Sequence, residues 1–145
     1  MATTTASISL NSSDLLTNNI ALSSTMTLYQ GGTTATGLEE FRMERMELPT
    51  GTQFDLIEAT TAATEDANYM YIINKNTDVT DYVIISINNE VIGRLYAGDW
   101  TFFPWDSDLT HATADSSIEL QAYTHECVVE FALFHNGETL VTSSD

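Results

Sequence analysis

The sequence predicts an all-β protein, a single jelly-roll-like β-sandwich with an extended N-terminal arm. Three observations lead there. Short strand-like runs alternate with turn residues at roughly 8–12-residue spacing, the rhythm of a sandwich or barrel. The 145 residues are 43% hydrophobic, enough for one domain with a real core and too much for a disordered chain. The segment Tyr82–Trp105, YVIISINNEVIGRLYAGDWTFFPW, lays out two strands about an Asn-Asn turn, then a glycine corner and a third strand that is nearly all aromatic.

Residues 1–37 stand apart. They contain 15 Ser or Thr and a single charged residue, Asp14. Short apolar patches recur at Ile8 with Leu10, Leu15 with Leu16, Ile20 with Leu22, and Met26 with Leu28. Ser/Thr-rich alternation such as STMTLYQ favours extended structure over helix. Gly31-Gly32 and Gly37 bracket a TTAT segment expected to be flexible. The stretch reads as an extended arm with one or two edge strands. Such an arm either packs on something else, often a neighbouring subunit, or frays as a terminus.

Residues 38–145 read as the sandwich domain. Leu38–Leu48 is built of good helix formers, yet Phe41 and Met43 alternate with Arg42 and Glu44 as in a strand. Pro49-Thr50-Gly51 makes a turn, so a hairpin with Phe54–Glu58 is expected. Ala59–Asn68 reads as a loop or one helical turn. Tyr69–Asn74 is apolar on both faces and therefore central. Lys75–Asp81 is a polar loop. Beyond it, Val83, Ile85 and Ile87 share one strand face, and Tyr82, Ile84 and Ser86 the other. Asn88-Asn89 suits the positive φ angles of a two-residue hairpin turn, and Val91–Tyr96 returns. Ala97-Gly98-Asp99 turns the chain again into Trp100–Trp105. There Pro104, which cannot donate to a ladder, marks a strand end or an edge. Asp106–Ser117 is a loop, and Ser117–Tyr123 and Glu126–Phe134 supply the last strands before a His135-Asn136-Gly137 turn. No 20–50-residue repeat is present.

Charge narrows the partners. Four Lys or Arg against 21 Asp or Glu give −17. Arg42, Arg45, Lys75 and Arg94 cannot make a multi-phosphate footprint, so neither nucleic acid nor an anionic membrane is an expected partner. The charge suits solubility, high salt or a basic partner, or is a solvated surface with none. The one cysteine, Cys127, excludes an internal disulfide, and its setting in CVVEFALF marks a small core residue. No apolar run of about 18 residues occurs, so no transmembrane helix is expected. The stretch MATTTASISL lacks the basic and apolar regions of a signal peptide.

The sequence holds little catalytic chemistry. His125 and Cys127 lie two apart, with His111 and His135 elsewhere; the spacing matches no zinc motif. Asp106 with Asp108, and Asp78 with Asp81, are oxygen pairs of the kind calcium uses, without EF-hand spacing. No pair among the 21 acids stands out as a glycosidase acid and base. GxSxG, GxGxxG and the Walker loop are absent. The expectation is a non-enzyme without metal or cofactor. The best binding candidate is the aromatic strand, with Trp100, Phe102 and Pro104 on one face and Thr101, Phe103 and Trp105 on the other. Either both faces are buried, or Phe103 and Trp105 anchor a sugar or protein partner. With Arg94 they form the candidate partner-binding set.

The run YMYIINKNTDVTDYVIISINNEVIGRLYAGDWTFFPW resembles small virion structural proteins of tailed bacteriophages, particularly marine ones. The resemblance rests on a strand containing Tyr71 and Ile72, a loop with Asn76 and Thr77, and a strand opening Tyr82-Val83. It continues through Gly93-Arg94-Leu95, Gly98 and Phe103-Pro104, and Val129–Phe134 resembles the closing strand. It covers about residues 69–134 and includes no catalytic residue. It implies a capsid decoration or cement protein, or a neck or tail component, residing in the virion after assembly in the host bacterial cytoplasm. Implied partners are the major capsid protein or other virion subunits, and further copies of the chain in a homo-oligomer, a trimer among the options. A carbohydrate-binding or receptor-recognition module and a small hydrolase are the competing readings.

Overall fold

A computed structural model describes residues 3–29, 34–35, 37–38, 40–57, 68–106 and 117–135. Its regular structure consists of ten strands. They are β1 (Thr4–Ser12), β2 (Ile20–Leu28), β3 (Glu40–Leu48), β4 (Gln53–Ile57) and β5 (Asn68–Asn74). β6 (Tyr82–Ile87), β7 (Glu90–Tyr96), β8 (Trp100–Trp105), β9 (Ile118–Ala122) and β10 (Cys127–His135) complete the set. The protein is all-β, as the turn spacing and β-branched runs predict.

β3 to β10 form two four-stranded antiparallel sheets, ordered β3-β10-β5-β8 and β4-β9-β6-β7. Successive strands change sheet at every connection except the β6–β7 hairpin, which is jelly-roll connectivity. The inner faces meet in one core. Leu48, Met70, Ile72, Trp105, Val129 and Phe131 enter from the first sheet, and Leu56, Ile57, Val83, Ile85, Ile118 and Leu120 from the second. At about 25 cal/mol per Å2 of apolar area, each fully buried Leu, Ile or Phe contributes about 1.5–3 kcal/mol.

Local sequence explains the corners. Asn88 and Asn89 have φ of 52° and 62°, the left-handed pair a tight hairpin needs. The carboxylate of buried Glu119 accepts from the Asn89 N–H at 3.1 Å through each oxygen, holding this turn against β9. Gly98 at φ 84° carries the chain from β7 in one sheet to β8 in the other. β8 is an edge strand, where Pro104 removes no interior ladder bond. β5 lies between β10 and β8, as expected of a strand apolar on both faces.

Two expectations are corrected. β3 and β4 do not form a hairpin across Pro49–Thr52; they belong to different sheets, β3 pairing with β10 and β4 with β9. Proximity in sequence favours a hairpin, but alternation also fits a corner between layers. β1 and β2 are not edge strands of the sandwich. They pair with each other, from Thr4 opposite Leu28 to Ser12 opposite Ile20, as a separate two-stranded ribbon. The expectations for Ala59–Ala67, for residues 107–116 and for the turn after His135 fall outside the described residues.

Candidate functional site: an aromatic sheet face and an amphipathic ribbon

The outer face of the β3-β10-β5-β8 sheet follows from register. Phe134 of β10 stands between Phe41 and Tyr69, and Pro104 lies beyond Tyr69 on β8. In the next row Ala132 stands between Met43 and Tyr71, with Phe102 beyond. In the third, Glu130 stands between Arg45 and Ile73, with Trp100 beyond. Ten of these twelve side chains are apolar or aromatic, and the remaining two, Arg45 and Glu130, approach each other at 3.5 Å.

The rings form a continuous train. Phe41 meets Phe134 at 5.1 Å between centroids, Phe134 meets Phe102 edge-on at 6.3 Å, and Phe102 stacks on Tyr69 at 5.5 Å. Trp100 leans on Tyr71 at 6.2 Å. Offset and edge contacts of this kind add about 0.5–1.5 kcal/mol each beyond burial. The face is nevertheless open to solvent, with Phe41 and Met43 each 57% exposed and Trp100 53% exposed.

The ribbon supplies the second surface. Register brings even-numbered residues of both strands to one face and odd-numbered residues to the other. The even face carries Ala6, Ile8, Leu10, Ile20, Leu22, Met26 and Leu28 with Thr4, Ser12 and Ser24, and the odd face carries Thr5, Ser7, Ser9, Asn11, Ser23, Thr25 and Thr27 with Ala21. On the odd face Ser7 and Thr25 share a hydroxyl hydrogen bond of 2.8 Å. Ala6, Ile8, Leu10 and Met26 of the even face, with Ser7 and Thr25 of the odd face, line a groove of about 710 Å3 together with Tyr71, Trp100 and Phe102. Leu22, opposite Leu10, and the turn residues Leu15 and Leu16 do not line that groove, and all three are exposed.

The expected anchors sit elsewhere. Trp105 is 3% exposed, and Phe103 is partly buried against the core, so neither ring is presented at the surface. The β5 pairing turns Trp100, Phe102 and Pro104 outward instead. Both faces of this strand are aromatic, so no polarity difference in the sequence marked which one points in. Arg94 lies on β7 in the other sheet, away from both, with its guanidinium 4.9 Å over the Tyr82 ring. Tyr82 in turn contacts Tyr96 at 5.3 Å and Tyr123 at 5.4 Å. The sequence-based reading missed Phe41, Met43, Tyr71 and Phe134 as surface residues. The recurrence of apolar residues at even positions within each strand, Ala6, Ile8 and Leu10, then Ile20, Leu22, Met26 and Leu28, was the signal for the ribbon.

A polar network occupies one end of the sandwich. Asp81, 6% exposed, accepts from His125 Nδ1 at 2.7 Å, Asn76 Nδ2 at 2.8 Å and Thr124 Oγ1 at 3.3 Å. The His125 hydrogen bond, then that from Asn76, holds the Asp81 carboxyl below its ordinary range, while the Asp81 bond raises His125. Cys127 is buried beside them, its Sγ 3.4 Å from the His125 carbonyl oxygen. Burial, and next the Asp81 charge, push this thiol up. A thiol kept protonated is a poor nucleophile. Asp78 is engaged by the N–H and hydroxyl of Thr80 at 3.0 and 2.8 Å. Among the described residues no three His, Cys, Asp or Glu gather as a metal site, and no helix is long and apolar enough to cross a membrane. His111 and Asp108 lie outside the described residues.

No protein-family model matches the chain, and no curated protein matches it. Among solved structures it is similar to a sugar phosphate isomerase from a cupin superfamily, from Silicibacter pomeroyi DSS-3. The two are 11% identical, with a TM-score of 0.43; the match covers 75% of this chain and 60% of that one. The chain thus spans well under two thirds of that protein's length, and the likeness assigns no activity.

Proposed function

We propose that this chain is a non-enzymatic structural protein of a bacteriophage virion. Its role is that of a capsid decoration or cement protein, which binds and stabilises neighbouring capsid subunits. One observation carries the reading: a chain of net charge −17 keeps two apolar, nearly uncharged surfaces open, the β1–β2 ribbon and the aromatic sheet face. Exposed apolar surface of this extent marks a place where proteins meet. Aromatic residues are the anchors such interfaces favour, and the acidic remainder keeps the free chain soluble. The resemblance of residues 69–134 to tailed-phage virion proteins supports the same reading. Its partners are the major capsid protein or other virion subunits.

Purified particles test it. The chain is expected to copurify with them at a copy number comparable to the major capsid protein, measured by quantitative mass spectrometry. Presence in only a few copies per particle selects a neck or tail position. Absence from particles overturns the reading. The packing of Arg94, Tyr96 and Tyr123 about Tyr82 favours a glycan- or receptor-binding module as second reading. Glycan binding abolished by Tyr123→Ala would support it.

A further inference from the structure

We infer that the β1–β2 ribbon is a strap that closes on the β5–β8 half of its own chain's aromatic face, and that the structure captures it open. Neither β1 nor β2 shares a ladder with a strand of the sandwich. What fixes the ribbon is its base. Leu28, opposite Thr4, is 1% exposed, Leu38 is buried as well, and Tyr29 bridges to Gly37. From there the cover over the even face thins row by row. Met26, opposite Ala6, is 43% exposed, Ile8 46%, Leu10 52% and Leu22, opposite Leu10, 59%. A buried base and a progressively open arm describe a lever held at one end.

The space under the lever is the groove. Five of the seven ribbon residues that line it, Ala6, Ile8, Leu10, Ser24 and Met26, belong to the even face. Tyr71, Trp100, Thr101 and Phe102 line the other side. Trp100 is 53% exposed, so the two walls are wetted alike, as the walls of an open cleft must be. At about 30 Å3 per molecule, a groove of about 710 Å3 has room for about two dozen waters against largely apolar walls. Releasing them is favourable.

Nothing on either wall opposes closure. No charged side chain lines the groove, and β1 and β2 contain none, so the acidic charge of the chain lies elsewhere. The odd-face hydroxyls that reach the groove, Ser7 and Thr25, bond to each other at 2.8 Å, so closure leaves neither without a partner. A two-stranded ribbon is marginally stable until its apolar face is packed. The sheet across the groove is tethered to it and acts at high local concentration, which a separate partner does not. Phe41 and Met43 of β3 line no part of the groove and stay open in either position. The closed strap therefore shields one half of the aromatic face and leaves the other half presented.

Acrylamide quenching of tryptophan fluorescence tests this on the full chain. Trp100 reports on the groove, and Trp105, buried in the core, is the internal reference. The native chain is expected to be quenched little faster than Trp100→Phe, which retains Trp105 alone. That shielding is expected to be the same at about 1 and about 100 μM, on either side of a micromolar self-contact. Leu10→Glu with Met26→Glu charges the ribbon wall and is expected to make Trp100 quench severalfold faster, with Trp105 unchanged. The native measurement decides without any variant: a Trp100 that is freely quenched at both concentrations overturns the inference. Shielding that appears only at about 100 μM makes a second copy the cover and overturns it too. So does shielding that survives the two glutamates. Particle copurification decides the virion reading and bears on none of these outcomes.

Discussion

His125 Nδ1 donates to Asp81 Oδ1 across 2.7 Å, tying the loop that precedes β6 to the turn that leads into β10. The pair gives stability a defined pH window. His125 is raised above its ordinary 6.5, so its share is complete below that value and fades as pH climbs through the raised one. Asp81 is lowered below 3.8, so its share is complete above that value and fades as pH falls through the lowered one. Both are present together between about pH 4 and 6.5. The melting-temperature difference between the native protein and His125→Ala is therefore expected to be largest near pH 5 and to shrink by pH 9. A difference that grows with pH contradicts the pairing.

Asn74, fully buried, closes the same end of the sandwich. Its Nδ2 donates to the Leu95 carbonyl at 3.0 Å, and its Oδ1 accepts from the Asn76 N–H at 3.0 Å. Asn74→Ala removes the partner of the buried Leu95 carbonyl and of the part-buried Asn76 N–H. Each unsatisfied group costs about 1–3 kcal/mol. Urea unfolding is expected to show a loss of about 2–4 kcal/mol, with the m-value unchanged.

Two phenylalanines on one sheet predict opposite outcomes. Phe131, 1% exposed, points into the core, and Phe41, 57% exposed, points out. Phe131→Ala is expected to lose about 3–5 kcal/mol. Phe41→Ala is expected to lose less than about 1 kcal/mol. Equal losses would mean that the face of β3 is covered.

Gly98 is a backbone requirement. Its φ is 84°, and beyond its own chain neighbours no heavy atom lies within 4 Å of where a Cβ would stand. Gly98→Ala therefore meets no side-chain obstacle and isolates the backbone term, about 1–2 kcal/mol of destabilisation. Denaturant titration checks it.

The Cys127 thiol should be silent in the native state. Burial raises its pKa and removes it from solvent. A disulfide reagent is expected to label it slowly at pH 8 and at once in guanidinium. Rapid native labelling would show that the β10 end opens readily.

The sandwich was legible because its strands announce themselves: β5 through YMYIIN, the β6–β7 hairpin through Asn88-Asn89, and the edge at Pro104. These signals are local, a run of β-branched residues or one dihedral requirement. The pairing of β3 with β10 was not legible, because it joins opposite ends of the domain and the nearer partner, β4, has an equally good pattern. The direction of the aromatic strand was hidden for a related reason. Trp100 and Trp105 stand on opposite faces of β8, and only the second sheet, packed on one of those faces, makes the difference in their exposure. The ribbon lay between the two cases. Its parity is written in the chain, but pairing Thr4 with Leu28 excludes the sandwich sheets, and that is a three-dimensional outcome.

The place of β10 sets the timing of folding. β10 is the last described strand to be synthesised, yet it sits inside its sheet with β3, the first strand of the sandwich, on one flank. Until residues 127–135 leave the ribosome, β3 has no ladder partner and half of the aromatic face does not exist. Contacts of such long sequence separation are slow to form, on the order of milliseconds to seconds. A chain that stops before residue 127 therefore cannot display the β3–β10 surface.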